Sequence, residues 1–130
     1  MVSFRNLHIA YFSMEIGIDE SIPTYSGGLG VLAGDTLRSM ADLEVPVIGV
    51  TLLYKKGYFK QKIDSEGNQH EYNVPWNPEN KLKKLDTQVS IKIEDRNVKI
   101  NAWLYEIKGV TGKINPIIFL DTDVKSNLCI

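Results

Sequence analysis

A glycine-rich segment, residues 17–30, separates an apolar run from an amphipathic stretch and constrains the fold more than any other feature. Its four glycines and Pro23 disfavour both helix and strand, so the segment must be a loop. Residues 7–14, before it, form a short apolar run with aromatic and β-branched members, which predicts a buried strand. After it, apolar residues recur at helical spacing over residues 29–43, which predicts an amphipathic helix.

A second apolar run follows the helix and completes a βαβ unit. Pro46 disfavours the helical conformation at Val45 and therefore ends the helix near Glu44. Residues 46–54 are almost continuously apolar, as expected of a strand that is covered on both faces. Strand, loop, helix and strand in this order predict two parallel strands joined by a right-handed crossover.

The rest of the sequence predicts an antiparallel β meander. Alternating or aromatic segments bounded by turn residues indicate half-exposed strands. These strands are expected at residues 57–63, 69–72, 89–94, 98–107 and 114–120. Pro116 places the last strand near a sheet edge or marks its start, and residues 74–78 are interpreted as a rigid connector. The predicted fold class is therefore α/β, a βαβ unit followed by this meander.

Length, composition and charge exclude several classes of protein. The 130 residues, 43% hydrophobic and 24% charged, suit one soluble globular domain at most. The formal net charge is −1 and the Lys and Arg residues are scattered, so the basic surface of a nucleic-acid-binding protein is missing. Cys129 is the single cysteine, and neither a leader peptide nor a long apolar run occurs. We therefore expect a cytoplasmic protein with no disulfide and no membrane association.

The glycines stand directly before the predicted helix, a position suited to anion binding. The first amides of a helix have no intrahelical acceptor and carry the positive end of the helix dipole, and glycines let an anion reach the bare backbone. The alternative is that Gly27 and Gly28 form only a tight turn. Gly28, Gly30 and Ala33 have the spacing of a dinucleotide-binding motif, but the loop does not follow its strand directly and no acidic residue ends the next strand.

Acidic and aromatic residues supply further candidates. Glu15 follows the first predicted strand, at the sheet edge where open α/β folds bind ligands; the alternatives are an ion pair with a structural Lys or Arg, or capping of a loop amide. Asp121 and Asp123 are interpreted as turn formers, and His8 as a core residue outside any metal site. Five aromatic residues either stack against a sugar or belong to the core: Tyr54, Tyr58, Phe59, Tyr72 and Trp76.

Several segments together resemble a known enzyme family. They are AYFSME at residues 10–15, YSGGLGVLAGD at residues 25–35, GYFKQKI at residues 57–63 and FLDTD at residues 119–123. This series resembles the amino-terminal region of the α-glucan phosphorylases, the family of glycogen, starch and maltodextrin phosphorylase. The likeness covers nearly the whole chain in the same order and is greatest to the shorter prokaryotic members.

The resemblance implies an activity, a cofactor and binding roles. Such enzymes use pyridoxal phosphate and two Rossmann-like domains to transfer a terminal glucosyl unit of an α-1,4-glucan or maltodextrin to inorganic phosphate, giving glucose 1-phosphate. By the same resemblance, Gly27 and Gly28 would offer amides to phosphate, Leu29 would contact the sugar, and Glu15 would face the cofactor pocket. Gly17 stands where muscle-type members carry a tyrosine, so that cofactor contact does not transfer.

The resemblance also implies that residues 1–130 are an incomplete amino-terminal domain of a two-domain glycosyltransferase. The lysine that binds the cofactor, and the basic residues that hold the phosphates, belong to the carboxyl-terminal domain of such enzymes. This chain alone would therefore carry no catalytic residue and be inactive, and assembly into a homo-oligomer is left open. The alternative is a free-standing, non-catalytic α/β module that binds a sugar phosphate or another anion.

Overall fold

The computed structural model describes residues 9–127. In chain order the helix and strands are β1 Ile9–Phe12, α1 Gly28–Asp42, β2 Val47–Leu52, β3 Lys56–Ile63, β4 Gln69–Pro75, β5 Lys83–Ile93, β6 Arg96–Lys108 and β7 Ile114–Asp121. Short 3-10 turns lie at Pro78–Asn80 and Lys125–Asn127. The expectations for residues 7 and 8 of the first strand, including the core role of His8, and for Cys129 lie outside the described residues.

Five strands form one mixed sheet in the order β1-β2-β7-β6-β5. β1 pairs with β2, and β2 with β7, in parallel, whereas β6 pairs with β7 and with β5 in antiparallel fashion. β3 and β4 form a separate antiparallel hairpin. The predicted α/β class, with a βαβ unit followed by antiparallel strands, is therefore confirmed.

Helix α1 packs on one face of this sheet. Its buried residues Ala33, Leu37 and Ala41 meet Ile117 and Phe119 of β7, all at most 1% exposed. The helix forms here because its apolar residues repeat at helical spacing, and it ends at Asp42 as the sequence before Pro46 predicts.

The long loop between β1 and α1 is anchored by its own apolar side chains. Ile16, Ile18 and Ile22 are at most 2% exposed and belong to the same core as the helix. Burying one such side chain stabilises a fold by about 1.5–3 kcal/mol. Arg38 of α1 also donates a hydrogen bond to the carbonyl oxygen of Ile18. The glycine-rich segment is therefore held firmly, although it contains no regular secondary structure.

The expectation of a buried first strand is wrong for this chain. Within the described residues, β1 lies at the edge of the sheet, with β2 as its neighbour, and Ile9 and Phe12 are 44% and 74% exposed. β2 buries Val47, Gly49 and Thr51 toward the helix, but its other face is only half-covered. An apolar run therefore indicated a strand here without indicating what covers it.

The position predicted for the last strand is also wrong. β7 lies in the middle of the sheet, between β2 and β6, and begins two residues before Pro116. The proline is tolerated because pairing with β2 begins only at Ile117, so its missing N–H lies where β7 has β6 alone as a neighbour. The predicted connector at residues 74–78 is corrected too, since Val74 and Pro75 belong to β4.

Candidate functional site

Glu15 organises the glycine-rich loop. Its Oε2 accepts hydrogen bonds from the Ser26 amide at 2.8 Å and from the Ser26 hydroxyl at 3.3 Å. Its Oε1 accepts from the Gly30 amide at 3.1 Å. Of the roles considered for this carboxylate, capping of loop amides is the one that these contacts display. A place in a cofactor pocket stays a prediction.

Three glycines near the loop are required by close packing. A Cβ on Gly34 would lie 2.1 Å from the carbonyl oxygen of Gly17, and a Cβ on Gly30 would lie 2.5 Å from Cβ of Tyr25. Gly17 in turn approaches the backbone of Gly30, to whose carbonyl oxygen its amide donates at 2.7 Å. These glycines let the loop and the first turn of α1 lie against each other.

Gly27 and Gly28 differ from those three because nothing in the described part of the chain requires glycine at either position. A Cβ on either residue would meet no atom within 4 Å. Neither has a positive φ, and Gly27 is extended, with a φ of −174°. The tight-turn explanation therefore has no support from the backbone, and the open space around these residues leaves the loop accessible from outside.

Three consecutive amides where the loop meets α1, those of residues 27–29, are free to bind an anion. Among the described residues, no acceptor takes the N–H groups of Gly27, Gly28 or Leu29, while Glu15 occupies those of Ser26 and Gly30 on either side. The N-cap residue Gly27 offers no side chain, and the first turn contains no acidic residue, so the Glu15 carboxylate on the Gly30 amide is the side-chain acceptor that the described residues place there. Free amides at the positive end of a helix dipole favour a phosphate or carboxylate ligand.

A cleft of about 400 Å³ opens between this loop and the connection from β2 to β3. Glu15, Ser26 and the half-exposed Leu29 line one side. The opposite side is formed by Tyr54 to Tyr58, with the exception of Lys55. Of the three residues with free amides, Leu29 lines this cleft, whereas Gly27 and Gly28 lie next to it along the chain and are not among its lining residues. The cleft thus offers a backbone donor, an apolar contact and aromatic rings, a combination that suits a polar ligand with a sugar ring.

The structure sorts the aromatic candidates. Tyr54 and Tyr58 line the cleft and are 39% and 57% exposed, so their rings are available for stacking. Tyr72 lies on the outer hairpin beneath the Lys62 ammonium, and Trp76 donates its indole N–H to the Tyr54 carbonyl oxygen at 2.8 Å. Only Tyr54 and Tyr58 of the five candidates therefore line this cleft.

Sequence reasoning missed the burial of two polar residues, Thr24 in the cleft and Asp121 outside it. Thr24 lines the cleft and is 3% exposed, and its hydroxyl has no hydrogen-bond partner among the described residues. Nothing in its sequence context signals this. Asp121 does form a turn, accepting from the Asp123 amide at 2.9 Å, but it is also 3% exposed and accepts from the Trp103 indole N–H at 3.2 Å. A strand-ending aspartate looks the same in sequence whether buried or exposed.

The sequence of this chain is similar to those of known carbohydrate phosphorylases. Residues 17–112, which include the glycine loop and the aromatic wall of the cleft, match the carbohydrate phosphorylase family. The chain is 43% identical over 126 residues to a maltodextrin phosphorylase of Thermococcus litoralis, covering 92% of this chain and 15% of that protein. It is 39% identical over 127 residues to a glycogen phosphorylase of Mycobacterium tuberculosis, covering 92% of this chain and 14% of that protein.

A glycogen phosphorylase of Aquifex aeolicus is 34% identical over 125 residues, covering 92% of this chain and 18% of that protein. The chain thus spans less than a fifth of the length of these relatives. Within the described residues, no helix is both long and apolar enough to cross a membrane. Since the family match extends over most of the sequence and includes both sides of the cleft, this chain belongs to the carbohydrate phosphorylase family.

Proposed function

We propose that this chain is the incomplete amino-terminal domain of a two-domain cytoplasmic glycosyltransferase that phosphorolyses α-1,4-glucans to glucose 1-phosphate. The observation that carries the proposal is the pair Gly27 and Gly28, whose amides are free and whose missing side chains leave open space before a helix. Relatives named maltodextrin phosphorylase and glycogen phosphorylase support the reaction class. The substrates would be a glucan or maltodextrin and inorganic phosphate.

In this reaction, a phosphate oxygen forms a bond to the anomeric carbon while the glycosidic C–O bond breaks, and the departing glucan oxygen takes up the proton that the phosphate gives up and becomes a hydroxyl. The residues of this chain would bind and orient. The amides of Gly27 and Gly28 would hold a phosphate oxygen as its charge develops, and backbone donors bring no proton that competes with the reaction. Leu29 would pack on the glucosyl ring, and Tyr54 and Tyr58 would bound the sugar on the other side.

The family implies pyridoxal phosphate, and the residues present fit one side of a pocket for phosphate groups. The open space at Gly27 and Gly28 would take the substrate phosphate, and Glu15 would face the cofactor while fixing the loop. When bound, the cofactor would supply a phosphate that exchanges a proton with the substrate phosphate. Its lysine and most of its other contacts would come from the carboxyl-terminal domain of the full-length protein, so this chain alone would be inactive.

The test is an assay of the full-length protein with maltodextrin and inorganic phosphate. We expect glucose 1-phosphate to form, and borohydride to trap pyridoxal phosphate on one lysine outside residues 1–130. The isolated chain should show neither reaction. A full-length protein that binds phosphate without forming glucose 1-phosphate would contradict the proposal.

One observation favours a second function, a non-catalytic module that binds a sugar phosphate. The glycine loop and the cleft both form within the described part of this single chain. Calorimetric titration of the isolated chain with glucose 1-phosphate separates the two functions. Micromolar binding by the isolated chain, together with a full-length protein that is inactive, would favour the module.

A further inference from the structure

Asp121 is a buried carboxylate that the proposed reaction does not use. It ends β7, the central strand of the sheet, and is 3% exposed. One oxygen accepts from the Asp123 amide, and the other accepts from the Trp103 indole N–H. A buried carboxylate is costly unless it is paired or hydrogen-bonded, so its partners indicate what it stabilises.

The nearest cation among the described contacts is Lys55, which pairs chiefly with Asp123 and reaches Asp121 only at the limit of an ion pair. The Lys55 ammonium lies 4.0 Å from Asp121 Oδ2 and 2.9 Å from Asp123 Oδ2, and it donates to the Asp123 carbonyl oxygen at 3.1 Å. Lys55 stands between Tyr54 and Lys56, which both line the cleft. One side chain therefore ties the end of β7 to the wall of the cleft from behind.

Two further contacts hold the same wall. The Trp76 indole N–H donates to the Tyr54 carbonyl oxygen at 2.8 Å. Gly57 lies so close to the glycine-rich loop that a Cβ on it would stand 2.6 Å from Cβ of Pro23. The wall leaves the sheet here, since the Leu53 amide still bonds to Leu120 of β7 whereas β3 begins a separate hairpin. Tertiary contacts, not sheet pairing, therefore set the position of Tyr54.

We propose that Lys55, which pairs with Asp123, and Asp121, which holds the Asp123 amide, are positioning residues that fix the aromatic wall of the cleft and thereby the binding of the glucan. The proposal rests on the proposed function. The proposal predicts different effects on the two substrates, because phosphate would bind at the glycine loop and the sugar against Tyr54 and Tyr58 on the opposite side of the cleft. Small displacements of a positioned substrate are costly, with about 1 Å capable of lowering a rate on the order of a hundredfold.

The experiment compares Lys55→Met and Asp121→Asn with the wild-type full-length protein. We expect the KM for maltodextrin to rise about tenfold or more, with the KM for phosphate within about twofold of wild type. Lys55→Arg should restore the KM for maltodextrin, since it keeps the charge. Lys92→Met is the matched control, because Lys92 makes an equally short 2.9 Å ion pair with Asp95 in the exposed turn between β5 and β6.

The outcomes separate this proposal from the function on which it rests. A wild-type protein that forms no glucose 1-phosphate would refute the proposed function, and the positioning role with it. An active wild type whose Lys55→Met variant keeps its KM for maltodextrin would refute the positioning role alone. A rise in both KM values, or a lower thermal midpoint with unchanged kinetics, would also refute it. If Asp121→Asn does not fold, the partly exposed Lys55 still gives the answer.

Discussion

At the scale of single residues, Glu15 sets which backbone groups of the loop can meet a ligand. Its two carboxylate oxygens take the amides of Ser26 and Gly30 and leave those of residues 27–29 between them without an acceptor. A carboxylate accepts such amides strongly, because hydrogen bonds to an ionised acceptor are shorter and stronger than neutral ones. The Glu15 side chain therefore determines which loop amides stay without an acceptor, and it also lines the cleft beside them.

Replacing Glu15 by alanine should loosen the loop. The amides of Ser26 and Gly30 lose their acceptor, so their hydrogen exchange should accelerate by about tenfold, which corresponds to roughly 1.4 kcal/mol of local stability. Exchange measured by mass spectrometry on the full-length protein gives the result. Glu15→Gln, which keeps one acceptor oxygen, should have an intermediate effect. Unchanged protection of both amides in Glu15→Ala would contradict this role.

Sequence alone could not separate the packing glycines from the open ones. Gly30 and Gly34 are required because Tyr25 and Gly17, distant along the chain in the latter case, approach them in space. Gly27 and Gly28 stand in the same motif, but a Cβ on either would meet no atom within 4 Å. The local sequence indicated an anion site or a turn, and only three-dimensional contacts distinguish glycines that serve packing from glycines that leave room for a ligand.

At the scale of elements, prediction succeeded where periodicity was regular. The helix was expected over residues 29–43 and spans Gly28–Asp42, because its apolar spacing is uninterrupted. β5 was expected to begin at residue 89 but begins at Lys83. The pairing of β5 with β6 shifts register between Lys84 and Gln88, which breaks the alternation that sequence reasoning requires. Irregular pairing thus concealed the first half of this strand.

The turn between β3 and β4 should depend on pH through Asp64. The His70 side chain, 2.7 Å away, and the amides of Asn68 and Glu66 hold the pKa of this carboxyl below its usual value of 3.8. Because the folded pKa is the lower one, the carboxylate stabilises the turn above pH 3.8, and this contribution is lost as pH falls through the folded pKa.

Carboxyl carbon chemical shifts measured against pH test this expectation. The Asp64 resonance should titrate below 3.8, and His70→Ala should move its midpoint upward. An Asp64 midpoint at or above 3.8 would contradict the geometry of the turn.

At the scale of the whole molecule, much apolar surface stays exposed. Large apolar side chains at the sheet edge, along the helix and in the hairpin are each more than half exposed: Phe12, Met14, Leu32, Ile63 and Tyr58. The apolar runs at residues 7–14 and 46–54 predict strands buried by other parts of the protein. Within the described residues, β1 and one face of β2 stay partly exposed. The relatives are far longer than this chain, so we propose that other parts of the full-length protein cover these surfaces.

The isolated chain of 130 residues should therefore self-associate. Exposed apolar surface of this extent favours contacts between copies and binding of hydrophobic dyes. Sedimentation velocity across a range of concentrations, combined with dye fluorescence, measures both properties. Phe12→Ser and Met14→Ser together should reduce both association and dye binding. A stable monomer that binds no dye would contradict the proposal that this domain is incomplete.

The inference about the function of the whole protein rests on the family resemblance more than on composition. Charge and length gave only the expectation of a single domain without a basic nucleic-acid-binding surface, and many globular proteins share such values. The glycine loop suggested an anion, and the series of family segments suggested which reaction. The position of Tyr54 and Tyr58 across the cleft depends on contacts between distant parts of the chain, so the sequence could not place them.

The most direct test of the account compares two glycine substitutions in the full-length protein. A Cβ on Gly28 would fill the open space before the free amides, and loss of one such donor costs about 3–4 kcal/mol of transition-state stabilisation. A Cβ on Gly34 would instead collide with the Gly17 carbonyl oxygen at 2.1 Å.

Phosphorolysis rate and thermal midpoint are measured for both variants. Gly28→Ala should lose on the order of a hundredfold or more in rate with a nearly unchanged thermal midpoint. Gly34→Ala should lower the midpoint, since overpacking costs about 1–3 kcal/mol. A Gly28→Ala enzyme that is destabilised but catalytically normal would show that this glycine serves the turn and that its amide binds no phosphate.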